Sequence, residues 1–257
     1  MPRLTFLGTG TSNGVPMIGC TCPVCSSNDP KDRRSRSSAV LEWNGLTLLI
    51  DTATELRLQA RAAALASIDA VLMTHPHADH TGGFDDLRRF NELQQRRLPV
   101  FANSQTAASL RERFGYAFTN DFPFFGGKPD LDLVEIDAPF DIGGHTIAPI
   151  PVSHGRMTVF GYRFGNLAYV TDAKDIPATS FDVLRGVHTL VINALRERPH
   201  PTHLSVSEAL EVIEKIGPRQ AYLTHLSHDL GHAAGMALLP PGVEIAYDGL
   251  VIESPEE

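Results

Sequence analysis

The chain predicts an α+β protein, a four-layer αββα sandwich, on three observations. Short apolar runs of strand length recur from end to end, and amphipathic helical segments follow a strand-rich stretch in each half. That order suits two packed sheets with helices outside better than a doubly wound sheet. The third observation is length: 257 residues fit one large layered domain, expected over 1–257.

The strands are expected, in order, at Leu4–Leu7, Ala39–Trp43, Thr47–Ile50, Ala70–Met73, Leu133–Ile136 and Ile147–Val152, then Phe160–Phe164, Ala168–Val170, Thr189–Ile192, Ala221–Leu223 and Val243–Ala246. Helical periodicity is best at Thr54–Leu65, Asp85–Leu93, Thr106–Phe114 and Ser205–Ile216. Ser205 with Glu208 three residues on makes a capping-box pattern. The Gly/Pro-rich stretch Phe122–Pro129 reads as a surface loop.

Composition narrows the function. No apolar run approaches the roughly 18 residues of a membrane span, and no signal-peptide pattern opens the chain, so a cytoplasmic protein without membrane contact is expected. A formal charge of −8 argues against long nucleic acid as a partner. All three cysteines fall in Cys20-Thr21-Cys22-Pro23-Val24-Cys25, too crowded for a disulfide framework and pointing to a metal.

The central motif is Thr74-His75-Pro76-His77-Ala78-Asp79-His80, directly after an apolar strand. In an extended loop, residues two apart project to one side. His75 and His77 can then grip one ion while Asp79 and His80 reach a second. His154, Asp172 and His225 each follow an expected strand, and strand ends can converge on one rim. Asp172 is the choice for a bridging ligand, since its two oxygens can face two cations. Imidazole and carboxylate suit zinc, manganese or iron, so a dinuclear site of two divalent cations (Zn or Mn) is expected.

On these residues the chain resembles the metallo-β-lactamase superfamily, whose motif matches His75-x-His77-x-Asp79-His80, with His154, Asp172 and His225 in the later ligand positions. Leu7-Gly8-Thr9-Gly10-Thr11-Ser12-Asn13-Gly14-Val15-Pro16 and Pro201-Thr202-His203-Leu204-Ser205 are similar to the branch containing tRNase Z and the PhnP-type phosphodiesterases. The resemblance implies the metallo-β-lactamase fold, and catalytic residues His203, as proton donor, and Asp79. It also implies a structural zinc held by Cys20, Cys22, Cys25 and a fourth ligand, His228.

The implied reaction is hydrolysis of a small cyclic phosphodiester, of ribose 1,2-cyclic phosphate or 2′,3′-cyclic nucleotide type. A metal-bridged hydroxide attacks phosphorus, and protonated His203 delivers a proton to the leaving oxygen. A tRNase Z-like ribonuclease is the alternative, although the seventeen residues between His154 and Asp172 read as two strands joined by Gly165-Asn166, with no room for an RNA-binding arm. Thioester or lactam hydrolysis ranks next, followed by an inactive metal-binding protein resembling the PQQ-biosynthesis protein B group. A homodimer is only a prior from the frequency of symmetric assemblies. Arg196 and Arg198 stay outside the catalytic set, His200 is undecided, and His145, His188 and His232 lack ligand spacing.

Overall fold

The computed structural model describes residues 1–119 and 125–255, and within them two seven-stranded sheets. The first sheet contains β1 (Arg3–Gly8), β2 (Ser38–Trp43), β3 (Leu46–Ile50), β4 (Ala70–Leu72), β5 (Leu98–Ala102), β6 (Leu131–Glu135) and β14 (Val251–Glu253), in the order β14-β1-β2-β3-β4-β5-β6. The second contains β7 (Phe140–Ile142), β8 (His145–His154), β9 (Met157–Phe164), β10 (Leu167–Val170), β11 (Thr189–Asn193), β12 (Gln220–Thr224) and β13 (Val243–Ile245), ordered β13-β12-β11-β10-β9-β8-β7.

The helices are α1 (Leu56–Ala62), α2 (Ala78–Thr81), α3 (Arg88–Gln94), α4 (Ser104–Phe114), α5 (Ala178–Leu184), α6 (Val206–Ile216) and α7 (His232–Met236). Alternation along the strands sorts side chains between faces. In β4, Ala70 and Leu72 enter the cluster between the sheets, while Val71 packs outward with Leu56, Phe90 and Leu110 of α1, α3 and α4. In β11, Val191 joins the inter-sheet cluster, while Leu190 and Ile192 meet Leu184 of α5 and Ala209 and Ile213 of α6. Three apolar clusters therefore separate four layers, the expected αββα sandwich.

Each expected strand is present, with ends shifted by a few residues; β5, β7, β14, α2, α5 and α7 are additional. Of the expected surface loop Phe122–Pro129, residues up to 124 lie outside the described part, and residues 125–128 form turn and bend. Gly165-Asn166 joins β9 to β10 as expected, with Phe164 paired to Leu167. Among the described residues no helix is long and apolar enough to cross a membrane.

Pairing decides where loops gather. β3 to β6 run parallel in one sheet and β10 to β13 in the other, so their C-terminal ends share one edge of each sheet. The His-rich motif leaves from the end of β4 at that edge and is pinned to the second sheet. Phe160 N–H donates to the Thr74 carbonyl at 3.0 Å, and the buried Tyr162 hydroxyl donates to the Met73 carbonyl at 2.7 Å.

Candidate metal centre

Strand ends supply most of the site. Asp51 follows β3, the motif follows β4, His154 ends β8, Asp172 follows β10 and His225 follows β12. Asp51, Asp172 and His225 all adopt left-handed backbone conformations, with φ of 59°, 57° and 58°. Such conformations cost a non-glycine residue on the order of 1–3 kcal/mol and recur at functional sites. Within the motif, the chain is extended at His77 and turns helical at Ala78, where α2 begins, instead of staying extended throughout. That turn carries Asp79 and His80 away from the His75 and His77 pair.

The ligand-type atoms form overlapping groups. His75, His77 and His154 lie within 4.8 Å of one another, as do Asp79, His80 and His225. Asp172 lies between them: Oδ1 is 3.9 Å from His75 Nε2 and 3.2 Å from His225 Nε2, and Oδ2 is 3.2 Å from His80 Nε2. Most of this cluster is buried, while His77 stands exposed at its mouth.

Hydrogen bonds fix the imidazole tautomers. His80 Nδ1–H donates to Asp51 Oδ2 at 2.7 Å, and His154 Nδ1–H to the Thr202 carbonyl at 2.8 Å. The Thr74 hydroxyl donates to Asp51, so it accepts from His75 Nδ1–H at 3.0 Å. All three Nε2 atoms are left as bare lone pairs, the arrangement by which outer partners orient metal-ligating histidines. His75 Nε2 then faces His77 Nδ1 at 3.0 Å, and buried His80 Nε2 and His225 Nε2 accept no hydrogen bond. Lone pairs converging on one another and on carboxylates need cations between them, so the donor set fits divalent metals.

Electrostatics agree. Burial pushes the Asp172 carboxyl up, yet His225, His80 and His75 hold it well below the usual range. Burial disfavours charge on His80, but Asp172, Asp79 and Asp51 hold it well above the ordinary imidazole value. Asp79, Asp172 and Asp51 thus crowd a buried space that favours positive charge at His80 Nε2, a charge that divalent cations would supply in place of a second proton on that ring.

His203 stands at the rim. Its Nε2 donates to Asp172 Oδ1 at 3.0 Å, and its ring stacks on His225 with centroids 5.0 Å apart. Its Nδ1 lies 3.1 Å from His200 Nδ1, so undecided His200 is a direct neighbour of the rim histidine. Arg196 and Arg198 turn instead toward Asp229 and nearby carbonyls. His145 packs on Trp43, and His188 contacts Thr189. His232 opens α7 and is buried, its backbone N–H donating to Asp32.

A second cluster forms where the sequence places it. His228 Nδ1 lies 3.2, 3.4 and 3.6 Å from the Sγ atoms of Cys20, Cys22 and Cys25. Tetrahedral zinc geometry separates sulfur and nitrogen ligands by roughly 3.5 Å, so the four groups fit one ion. The Cys25 N–H donates to Cys22 Sγ, the largest influence lowering that thiol to about 6. Two backbone bonds, Thr11 N–H to the Leu226 carbonyl and Leu226 N–H to the Thr9 carbonyl, tie the glycine-rich loop to the segment bearing His225.

Sequence reasoning missed Asp51 and Asn193. Asp51 ends an apolar strand as the recognised ligands do, a signal that was present but lacked motif spacing. Buried Asn193 accepts from Ala173 N–H at 2.7 Å and donates to its carbonyl at 3.0 Å, bracing the turn after Asp172.

Fold and site together define a metal-dependent hydrolase of the metallo-β-lactamase class. The family model described as "Beta-lactamase superfamily domain" matches residues 47–226. The chain belongs to this superfamily and, within it, to the PhnP family: the solved structure of a new diphosphatase from that family superposes with a TM-score of 0.91 and 40% identity, covering 98% of this chain and 96% of that one. A Porphyromonas gingivalis protein called octanoyltransferase is 41% identical over 254 residues, 96% of this chain, but this chain spans about half (51%) of its length. A ribonuclease Z of Mycobacterium sp. (strain KMS) is 27% identical over 82% of this chain and 83% of its own.

Proposed function

We propose that the protein hydrolyses a small cyclic phosphodiester, of ribose 1,2-cyclic phosphate or 2′,3′-cyclic nucleotide type. His75, His77 and His154 would hold one cation and Asp79, His80 and His225 the other, with Asp172 available to both; zinc or manganese would be the metals, and the Cys20, Cys22, Cys25 and His228 cluster would hold a structural zinc. The bound cations would supply Lewis-acid stabilisation of phosphoryl oxygens and a water of lowered pKa.

The observation that carries this reading is the His203 Nε2–H held 3.0 Å from Asp172 Oδ1. A donor on the shared carboxylate stands within reach of a leaving oxygen on a phosphoryl group bound beside it, so His203 protonates the departing ribose alkoxide. The cyclic ester opens and a monoester remains. Asp79, which faces His80 and His225, would help to hold one cation in place. A thiolate cluster fits a reducing compartment, in keeping with the cytoplasm.

A second reading is hydrolysis of a diphosphate, favoured by the description of the 40% identical relative. The two differ in the leaving group: a phosphate departs without a proton, an alkoxide does not. A ribonuclease Z activity is less supported, because β9 and β10 fill the span between His154 and Asp172 with a tight hairpin. Octanoyl transfer is not supported: all three cysteines, the natural acyl carriers, stand in the cluster with His228.

The deciding experiment assays metal-loaded protein on 2′,3′-cyclic nucleotide, ribose cyclic phosphate, a nucleoside diphosphate and pre-tRNA, beside His203→Gln. Turnover of the cyclic esters that falls about 10²–10⁴-fold in the variant, with both metals retained, is expected. Turnover of the diphosphate alone, indifferent to the substitution, would replace this reading with the second.

A further inference from the structure

Thr202 is a junction at the rim of the candidate centre. Its carbonyl accepts from His154 Nδ1–H at 2.8 Å, and its methyl fills the space beside Gly155, where a Cβ would stand 3.1 Å away. Gly155, in the turn between β8 and β9, also takes a left-handed backbone with φ of 61°, which glycine adopts without strain. The segment carrying Thr202 is stiff. In Pro199-His200-Pro201-Thr202-His203, each proline fixes its own φ, and Pro201 disfavours helical backbone at His200.

Hydrogen bonds around His200 have a direction. Thr202 N–H donates to His200 Nδ1 at 3.3 Å, so that nitrogen carries a lone pair. Burial, reinforced by Arg196, His154 and Lys174, pushes His200 below the ordinary imidazole value and keeps the ring neutral. His203 Nδ1 stands 3.1 Å from the same lone pair. The Thr202 hydroxyl lies 3.0 Å from His203 Nδ1 and 3.2 Å from His200 Nδ1. The consistent arrangement has a hydrogen on His203 Nδ1, donated to His200 directly or to Thr202 Oγ, whose own hydrogen points to His200. Two lone pairs 3.1 Å apart would otherwise repel.

Resting on the phosphodiester reading above, we propose that His200 is a positioning residue: its Nδ1, with the Thr202 hydroxyl, accepts the His203 Nδ1–H and keeps His203 Nε2 aimed at the leaving oxygen. An imidazole serves as an acid at Nε2 only while Nδ1 also holds a hydrogen, and an acceptor beside Nδ1 keeps that hydrogen in place. The proton balance closes. The Nε2 proton passes to the ribose oxygen as its bond to phosphorus breaks, and a neutral His203 remains with its hydrogen on Nδ1, still bonded to His200. The ring need not turn during the step, because the same contact holds it before and after.

The test compares the zinc-loaded full chain with His200→Leu, which loses the acceptor, and His200→Asn, whose amide oxygen can stand near the place of Nδ1. Each is assayed on a 2′,3′-cyclic nucleotide, whose leaving alkoxide needs a proton, and on bis-p-nitrophenyl phosphate, whose leaving phenolate does not. His200→Leu should lower kcat on the cyclic ester about tenfold or more, with KM and metal content unchanged, and His200→Asn should recover most of that loss. On the nitrophenyl ester the deficit should shrink. In nitrogen NMR spectra of histidine-labelled protein, the His203 Nδ1 resonance, assigned by its loss in His203→Gln, should move in His200→Leu and stay near its wild-type position in His200→Asn. An equal deficit on both esters, loss of metal, or a resonance and a cyclic-ester rate indifferent to His200→Leu overturns the proposal. A wild type that leaves the cyclic ester untouched would sink the phosphodiester reading by itself, and the resonance would then decide whether His200 holds the ring.

Discussion

At the scale of single residues, Asp51 shows how the site is held together from behind. It ligates nothing in the proposed scheme, yet it accepts from His80 Nδ1, from the Thr74 hydroxyl and from Thr74 N–H at 2.7–2.8 Å. Burial pushes its carboxyl up against the pull of His80, so its charge depends on those partners. An Asn there keeps the shape but offers one acceptor in place of two, and it can turn an N–H toward His80. Asp51→Asn should therefore reduce metal affinity by about 10–100-fold, measured by competition with a chelator, while the fold persists. Unchanged affinity would mean that the imidazole of His80 is oriented by packing alone. The proposed ligands were legible in the sequence because four of them sit in six consecutive residues. Asp51 was not, because its meaning lies in contacts with residues 23 and 29 positions away.

At the scale of elements, local chemistry was readable wherever it was self-contained. α6 carries both halves of its capping box and ends at Gly217 with φ of 70°. By contrast, β5 holds Pro99 within five residues, which hides a strand paired on both sides. α7 contains Gly235, and β7 and β14 are three residues each, too short for a period to show. These elements exist because the sheets beside them supply partners. Ser205→Ala should cost about 1 kcal/mol in denaturant unfolding at neutral pH, since it leaves the Glu208 N–H without its cap. Burial pulls the Glu208 carboxyl up, but Lys174 and Ser205 outweigh it and lower its value. Its share of stability is thus complete above the unfolded value of 4.5 and fades as pH falls through the lower folded value. The stability gap between wild type and Glu208→Gln should narrow in acid, and a gap constant with pH would assign the effect to shape instead of charge.

At the scale of the whole molecule, the candidate centre straddles the two sheets. His75, His77, Asp79 and His80 leave the first sheet, while His154, Asp172 and His225 leave the second. Between the sheets lies an apolar cluster whose contacts are nondirectional, and a small slide of one sheet over the other costs it little. Metal ligation has no such latitude, since bond lengths must hold to about 0.2 Å. The centre is therefore a gauge of alignment between the two halves, more sensitive than the melting temperature. Tyr162 tests this, because its hydroxyl reaches across from the second sheet to the carbonyl of Met73 just ahead of the motif. Tyr162→Phe should lower stability by only about 1 kcal/mol, yet weaken metal binding measurably at unchanged fold. A protein so arranged would report wear in its interior first as a loosened grip on its ions, and only later as unfolding.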